Sequence, residues 1–239
     1  MSTLYLVRHG QARFLTDDYD RLSEVGHEQA KLVGEHFVKE DIVPSHVWHG
    51  TLKRQRDTAA GALAILSAAG IAAPDSSVLP GLDEYPADEL MTFLLPLVRT
   101  SDETVDREAT ELSNCTDERQ RYRLIHRLLE AVMRSWIDAQ HDVSVAGIPT
   151  WAEWSGNVRA ALKACMEVPS GSTVAVFTSG GPVGVAVQTM LAAPDVQAAE
   201  LNWRVFNASV SRVTFSRSRV TLDSFNETGH LPHGLRTHR

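Results

Sequence analysis

Short apolar runs alternate with longer stretches whose apolar positions recur every three or four residues. Leu4–Val7 has the length and β-rich content of a buried strand. A helix is expected from a Ser23 cap to about Lys39, with Ala30, Val33, Phe37 and Val38 on one face. His46–Trp48 reads as a second strand, alanine-rich Leu52 to about Ala69 as a helix stopped by Gly70, and Ser76–Leu79 as a third strand. From about Ala87 to Gln140 the pattern turns helical. Leu90, Phe93, Leu94 and Leu97 share one face, and Leu124, Leu128, Val132 and Trp136 share another in a longer helix starting near Asp117. The polar piece Thr100–Asp106 separates the two. This region reads as a helical insertion, either a lid or helices that simply pack. Alternation resumes with a helix at about Trp151–Glu167, a strand at Thr173–Phe177 and a helix at about Pro182–Leu191. Ser209–Phe215 and Arg219–Phe225 flank Ser216–Arg217–Ser218 as a hairpin. The final TGHLPHGLRTHR is polar and reads as loose. The sum is an α/β fold, a mainly parallel sheet with helices on both faces, in one domain over residues 1–239 with the insertion at about 87–140.

Composition narrows the class. With 43% hydrophobic and 22% charged residues, the chain has ample material for a core. A formal charge of −7 argues against a nucleic-acid partner and requires any anion site to be built locally. The two cysteines, Cys115 and Cys165, lie far apart, so neither a disulfide framework nor a zinc site is expected, and a reducing cytoplasm fits. No basic segment followed by an apolar run marks a signal peptide, and no apolar run approaches the roughly 20 residues of a membrane span.

Candidate chemistry begins at Tyr5–Gln11, YLVRHGQ. A strand suited to burial ends there in two groups that prefer charge. In open α/β sheets, ligands bind beyond the carboxyl ends of the strands. An arginine forked onto an oxyanion beside an imidazole suits phosphate, and a neutral imidazole nitrogen can attack phosphorus. A strand end that merely surfaces is the plain alternative.

Further motifs follow in order: LSEVGHEQA (Leu22–Ala30), GTLKRQRDTA (Gly50–Ala59), LDEY (Leu82–Tyr85), FTSGG (Phe177–Gly181) and NAS (Asn207–Ser209). Together with LVRHGQ they resemble the histidine phosphatase superfamily, also called phosphoglycerate mutase-like, from residue 4 to about residue 230. The resemblance implies a three-layer α/β/α sandwich acting on a small phosphorylated molecule without metal or cofactor. It implies His9 as the nucleophile that takes the phosphoryl group, Arg8 and Arg54 as phosphate-binding residues, and Glu84 as the group that protonates the leaving oxygen and then activates water. Such chemistry depends on in-line positioning and positive charge more than on covalent help from the protein.

The sequence also departs from that family. Its second histidine is replaced by Ser179, a shorter neutral donor. Gly180 and Gly181, ahead of Pro182, still offer N–H groups at a helix N-terminus to an anion. Ala12 and Leu15 stand where many members carry a hydroxyl residue and an asparagine, and Arg13 is either a replacement contact or a solvated charge. His49 and His230 are alternative histidines, and His230, His233 and His238 form either a metal-binding tail or a disordered one. Phe14, Tyr19 and Arg13 are candidates for a pocket mouth. The expected activity is a weakened phosphatase; the rival is a protein that binds phosphorylated ligands without turnover, with a mutase behind both. A serine hydrolase at Ser179 is disfavoured, because Phe177 stands where the nucleophile elbow needs glycine.

Overall fold

The computed structural model describes residues 1–13 and 20–238; Phe14, Leu15 and Tyr19 lie outside the described residues. Strand β1 (Ser2–Arg8) leads to helix α1 (Glu24–Lys39), β2 (His46–His49), α2 (Lys53–Ala68) and the short β3 (Ser77–Val78). Helices α3 (Ala87–Ser101), α4 (Glu103–Asn114), α5 (Glu118–Ile137) and α6 (Trp151–Met166) follow. The chain ends with β4 (Thr173–Thr178), α7 (Gly180–Met190), α8 (Val196–Asn202), β5 (Val210–Phe215) and β6 (Val220–Glu227). The described residues fall into two compact units, Met1–Glu84 with Asn157–Arg239, and Tyr85–Gly156.

The first unit holds a six-stranded sheet in the order β3-β2-β4-β1-β5-β6. The β3-β2, β2-β4 and β4-β1 pairs are parallel, and β1-β5 and β5-β6 are antiparallel. This is the expected α/β architecture. Val7, Val47, Ala175 and Phe177 share a core with Val33 and Phe37 of α1 and Ala59, Ala62 and Leu66 of α2. The alternate positions Leu4, Leu6, Val174 and Val176 are equally buried and point to the other face. Burial on both faces explains why these strands read as short apolar runs rather than alternating ones. Ser23 caps α1 as expected, accepting from the Gly26 N–H at 3.1 Å.

Two expectations need correction, and one short helix was not foreseen. The polar Thr100–Asp106 is no separator: Asp102 Oδ1 accepts from the Thr104 and Val105 N–H groups and starts α4. That helix buries only Val105 and Ala109, too thin an apolar stripe to be seen in the pattern. The seven-residue α8 was likewise too short to show periodicity. The tail is not loose. Leu231 is buried, the Asn207 N–H donates to Thr237 O at 2.8 Å, and Thr237 Oγ1 donates to Asn207 Oδ1 at 2.9 Å. Backbone and side-chain bonds to internal partners hold a segment whose own composition is polar.

In the second unit α3, α4 and α5 pack on one another around Val98, Val105, Ala109 and Leu128. Tyr85, Trp136, Trp151 and Trp154 form an aromatic cluster, and Trp136 Nε1 donates to Pro149 O at 2.9 Å. No helix among the described residues is long and apolar enough to cross a membrane.

His230 contributes a testable pH dependence. Its ring stacks on His36 with centroids 4.9 Å apart, in a cavity of about 630 Å³ that also carries Glu35, Lys39, Glu40 and Glu227. Burial, then the neighbouring His36, pushes its pKa from 6.5 down to about 4. The unfolded chain therefore binds protons that the folded chain refuses. Stability is full above about pH 6.5 and falls as pH drops toward 4, by on the order of 2 kcal/mol for this half-buried ring. The urea midpoint should fall between neutral pH and about pH 5, and replacing His230 with Gln should flatten that fall. An equal fall in both proteins would assign the acid sensitivity elsewhere.

Candidate active site

The three-way parallel pairing of β1, β4 and β2 puts Arg8, Thr178 and His49 at one carboxyl edge. His9 follows β1 and is 3% exposed. Its N–H donates to Thr178 O at 2.8 Å, and its carbonyl accepts from the Ala208 N–H at 3.2 Å and from Asn207 Nδ2 at 3.4 Å. The backbone of the residue is thereby fixed from both neighbouring strands.

The ring is fixed as well. His9 Nδ1 lies 2.7 Å from Gly10 O, and a carbonyl can only accept, so the proton sits on Nδ1. Nε2 therefore carries the lone pair, and it accepts from Arg54 Nε at 3.2 Å. Burial first, then the Arg54 and Arg8 charges, holds the imidazole pKa well below 6.5, with the Gly10 bond as a partial offset. The result is a neutral, oriented imidazole between two cations.

The motifs around it act as supports. A Cβ on Gly10 would collide with Gly26 O, and one on Gly26 with Gln11 O, so α1 approaches the loop through two glycines. Gln29 Oε1 accepts from the Gln11 N–H at 2.7 Å, while its Nε2 donates to Leu235 O at 2.7 Å and to Thr237 Oγ1 at 3.0 Å. Thr58 Oγ1 accepts from the Gly10 N–H at 3.0 Å and donates to Arg54 O at 2.7 Å.

Arg54 and Arg8 are both buried. Arg8 Nη1 donates to Val205 O. Arg54 Nη1 donates to Asp20 Oδ1 at 2.9 Å, and Asp20 also accepts from the Lys53 N–H at 2.8 Å at the start of α2. Asp20, two residues ahead of the LSEVGHEQA motif, is not among the residues singled out from sequence.

Glu84 and Asp83 divide their work. Asp83 accepts from the Thr51 N–H and Thr51 Oγ1, both at 2.5 Å, and so holds the turn before α2. Glu84 instead accepts from the Gly181 N–H at 3.1 and 3.2 Å, at the N-terminus of α7. The two neighbouring carboxylates thus have different partners, Thr51 for Asp83 and the Gly181 N–H for Glu84. The α7 N–H expected to face an anion at Gly181 faces this carboxylate. Gly180 packs under Asn202, where a Cβ would collide with Asn202 Oδ1. Ser179 is fully buried and its Oγ accepts from Gln55 Nε2 at 2.8 Å.

The alternative histidines each bond a main-chain oxygen. His49 Nδ1 lies 2.5 Å from Gly50 O, and His230 Nε2 lies 2.9 Å from Ala208 O. The His238 ring lies on Phe206 with centroids 3.8 Å apart. Among the described residues no group of three or more His, Cys, Asp or Glu is placed to hold a metal ion, so the tail histidines do not form one. Arg13 is exposed, and Ala12 is buried in a bridge to Leu22.

Comparison with known proteins covers nearly the whole chain. A family model described as the histidine phosphatase superfamily (branch 1) matches residues 4–90 and 99–228. A probable phosphoglycerate mutase GpmB of Salmonella paratyphi C is 27% identical over 225 residues, covering 92% of this chain and 87% of the relative. Among solved structures, YhfR of Bacillus stearothermophilus superposes with a TM-score of 0.66 at 15% identity, over 97% of this chain and 100% of that one. A phosphoserine phosphatase of Entamoeba histolytica, solved with phosphoserine, superposes with a TM-score of 0.59 at 17% identity, over 97% and 100%.

Proposed function

The chain belongs to the histidine phosphatase superfamily (branch 1), and from that membership and the site geometry we propose that it hydrolyses a phosphomonoester through a phosphohistidine on His9. The observation that carries the reading is the His9 ring: Nδ1–H committed to Gly10 O and the Nε2 lone pair on Arg54 Nε. A phosphoryl oxygen that takes over the Arg54 N–H leaves Nε2 free to attack.

In the first half-reaction Nε2 attacks phosphorus in line. The ester P–O bond breaks, and the leaving oxygen takes a proton from the Glu84 carboxyl. Arg8 and Arg54 hold the charge on the equatorial oxygens. In the second, the Glu84 carboxylate takes a proton from water, the water oxygen attacks phosphorus, and the N–P bond breaks. Phosphate leaves and the neutral imidazole returns. The substrate is a small phosphorylated molecule, and related proteins bear both phosphatase and mutase names.

A second reading, binding of a phosphorylated ligand without turnover, is favoured by the neutral Ser179 where the family has a histidine. The two separate on one experiment. Protein is mixed with para-nitrophenyl phosphate, nitrophenol release is followed from the first milliseconds, and the protein is quenched and assayed for acid-labile, base-stable phosphate on His9. The hydrolase gives a burst, labelled His9 and continuing turnover. Binding of phosphate with neither release nor label would establish the second reading.

A further inference from the structure

The residue after Arg54 carries an arrangement that the family reading does not use. Gln55 sits in the first turn of α2 and is fully buried. Its Nε2 donates to Leu82 O at 2.9 Å and to Ser179 Oγ at 2.8 Å. Leu82 O can only accept, so the amide cannot be reversed, and both amide hydrogens are committed. Toward Ser179, Gln55 can therefore only donate.

That fixes the serine. Ser179 stands at the N-cap of α7, where a hydroxyl ordinarily accepts from the first-turn N–H groups. Here it makes no such bond, and the Gly181 N–H goes to Glu84 instead. The hydroxyl accepts from Gln55 and, among the described residues, has no acceptor for its own proton. It lies one residue beyond the Thr178 carbonyl that holds the His9 N–H, on the same strand edge as Arg8.

We infer that Gln55 is a positioning residue that makes Ser179 a one-way donor to the phosphoryl group, so that the pair supplies a neutral hydrogen bond from the position where the resembled family has its second histidine. The inference rests on the proposed phosphate site at His9. It also accounts for Gly50, since a Cβ there would collide with Gln55 Oε1 and Asp83 Oδ1.

The test uses vanadate and inorganic phosphate as probes, so it does not depend on turnover. Affinities are measured by calorimetry for the wild type, Ser179→Ala, Gln55→Leu and the double variant. Removing a donor aimed at the transition state costs about 10²-fold, so each single variant should bind vanadate about that much more weakly and phosphate far less so. The double variant should be no weaker than either single one, because both remove the same donor. With para-nitrophenyl phosphate, the same variants should lower kcat while KM changes little. Gln55→Asn, too short to reach Ser179, serves if Gln55→Leu fails to fold. Vanadate affinity unchanged in Ser179→Ala, or losses that multiply in the double variant, would overturn the inference. Coupled loss of vanadate binding in a wild type that never turns over would instead retain the pair and discard the phosphatase reading. A wild type that binds neither probe would end both.

Discussion

Replacing His9 with alanine should abolish steady-state hydrolysis of para-nitrophenyl phosphate, a loss on the order of 10⁵-fold or more by analogy with other deleted nucleophiles. That corresponds to about 7 kcal/mol of transition-state stabilisation. The size follows from the proposed role: without His9 the phosphoryl has no covalent acceptor, and direct attack of water keeps the arginines and Glu84 but loses the nucleophile. Inorganic phosphate should still bind, since Arg8 and Arg54 remain. The acid-labile label on the protein should vanish together with the turnover. The pH profile of the wild type supplies a second reading of the same residue. Burial and the two guanidinium groups depress the His9 pKa below 6.5, so the lone pair is available in mildly acidic solution. The rate limited by nucleophile protonation should therefore hold well below pH 6.5 as pH falls, rather than dropping at that value. Residual turnover above a few per cent in His9→Ala would move the nucleophile elsewhere.

Much of this site was legible because its residues are constrained by backbone as well as chemistry. Gly10 and Gly26 pack backbone against backbone, Ser23 caps α1, and Gln29 and Asn207 bind main-chain groups of the His9 loop. Such residues leave fixed spacings, and the motifs are those spacings. The strands and the long helices were readable for the related reason that each buries a continuous face. What escaped lacks either mark. Helix α4 buries two residues, and α8 is under two turns long. The tail is anchored by Thr237 and Leu235 through partners far away in sequence, Gln29 and Asn207, which no local pattern reveals. Asp20 and Gln55 were missed because their partners lie far away in sequence, and a polar residue beside a motif looks like a solvated one. Asp83 and Glu84 are adjacent and both acidic in the sequence; their different partners, Thr51 and Gly181, are visible only in three dimensions.

Glu84→Gln carries the second large effect, and its size should depend on the leaving group. Glutamine keeps the volume and can still accept from the Gly181 N–H, so α7 and the loop before it should stay in place. It cannot give up a proton. An alkyl phosphate leaves as a strongly basic alkoxide, and its first half-reaction should slow by roughly 10²–10⁴-fold without a general acid. Nitrophenolate needs no proton to leave, so the burst of nitrophenol and the labelling of His9 should survive. The second half-reaction then suffers, because water must attack without a base, and phosphorylated enzyme should accumulate. The pattern sought is a preserved burst, a slowed steady state and a steep dependence on leaving-group pKa, all in one variant. Equal losses for both substrates with no burst would show that the substitution disturbs the phosphate site itself. Asp83→Asn is the companion measurement. It weakens the turn at Thr51, and its cost should appear in the melting temperature, with no change in leaving-group dependence. If that dependence appears in Asp83→Asn and not in Glu84→Gln, the general acid is Asp83, and the carboxylate at the N-terminus of α7 is a helix cap.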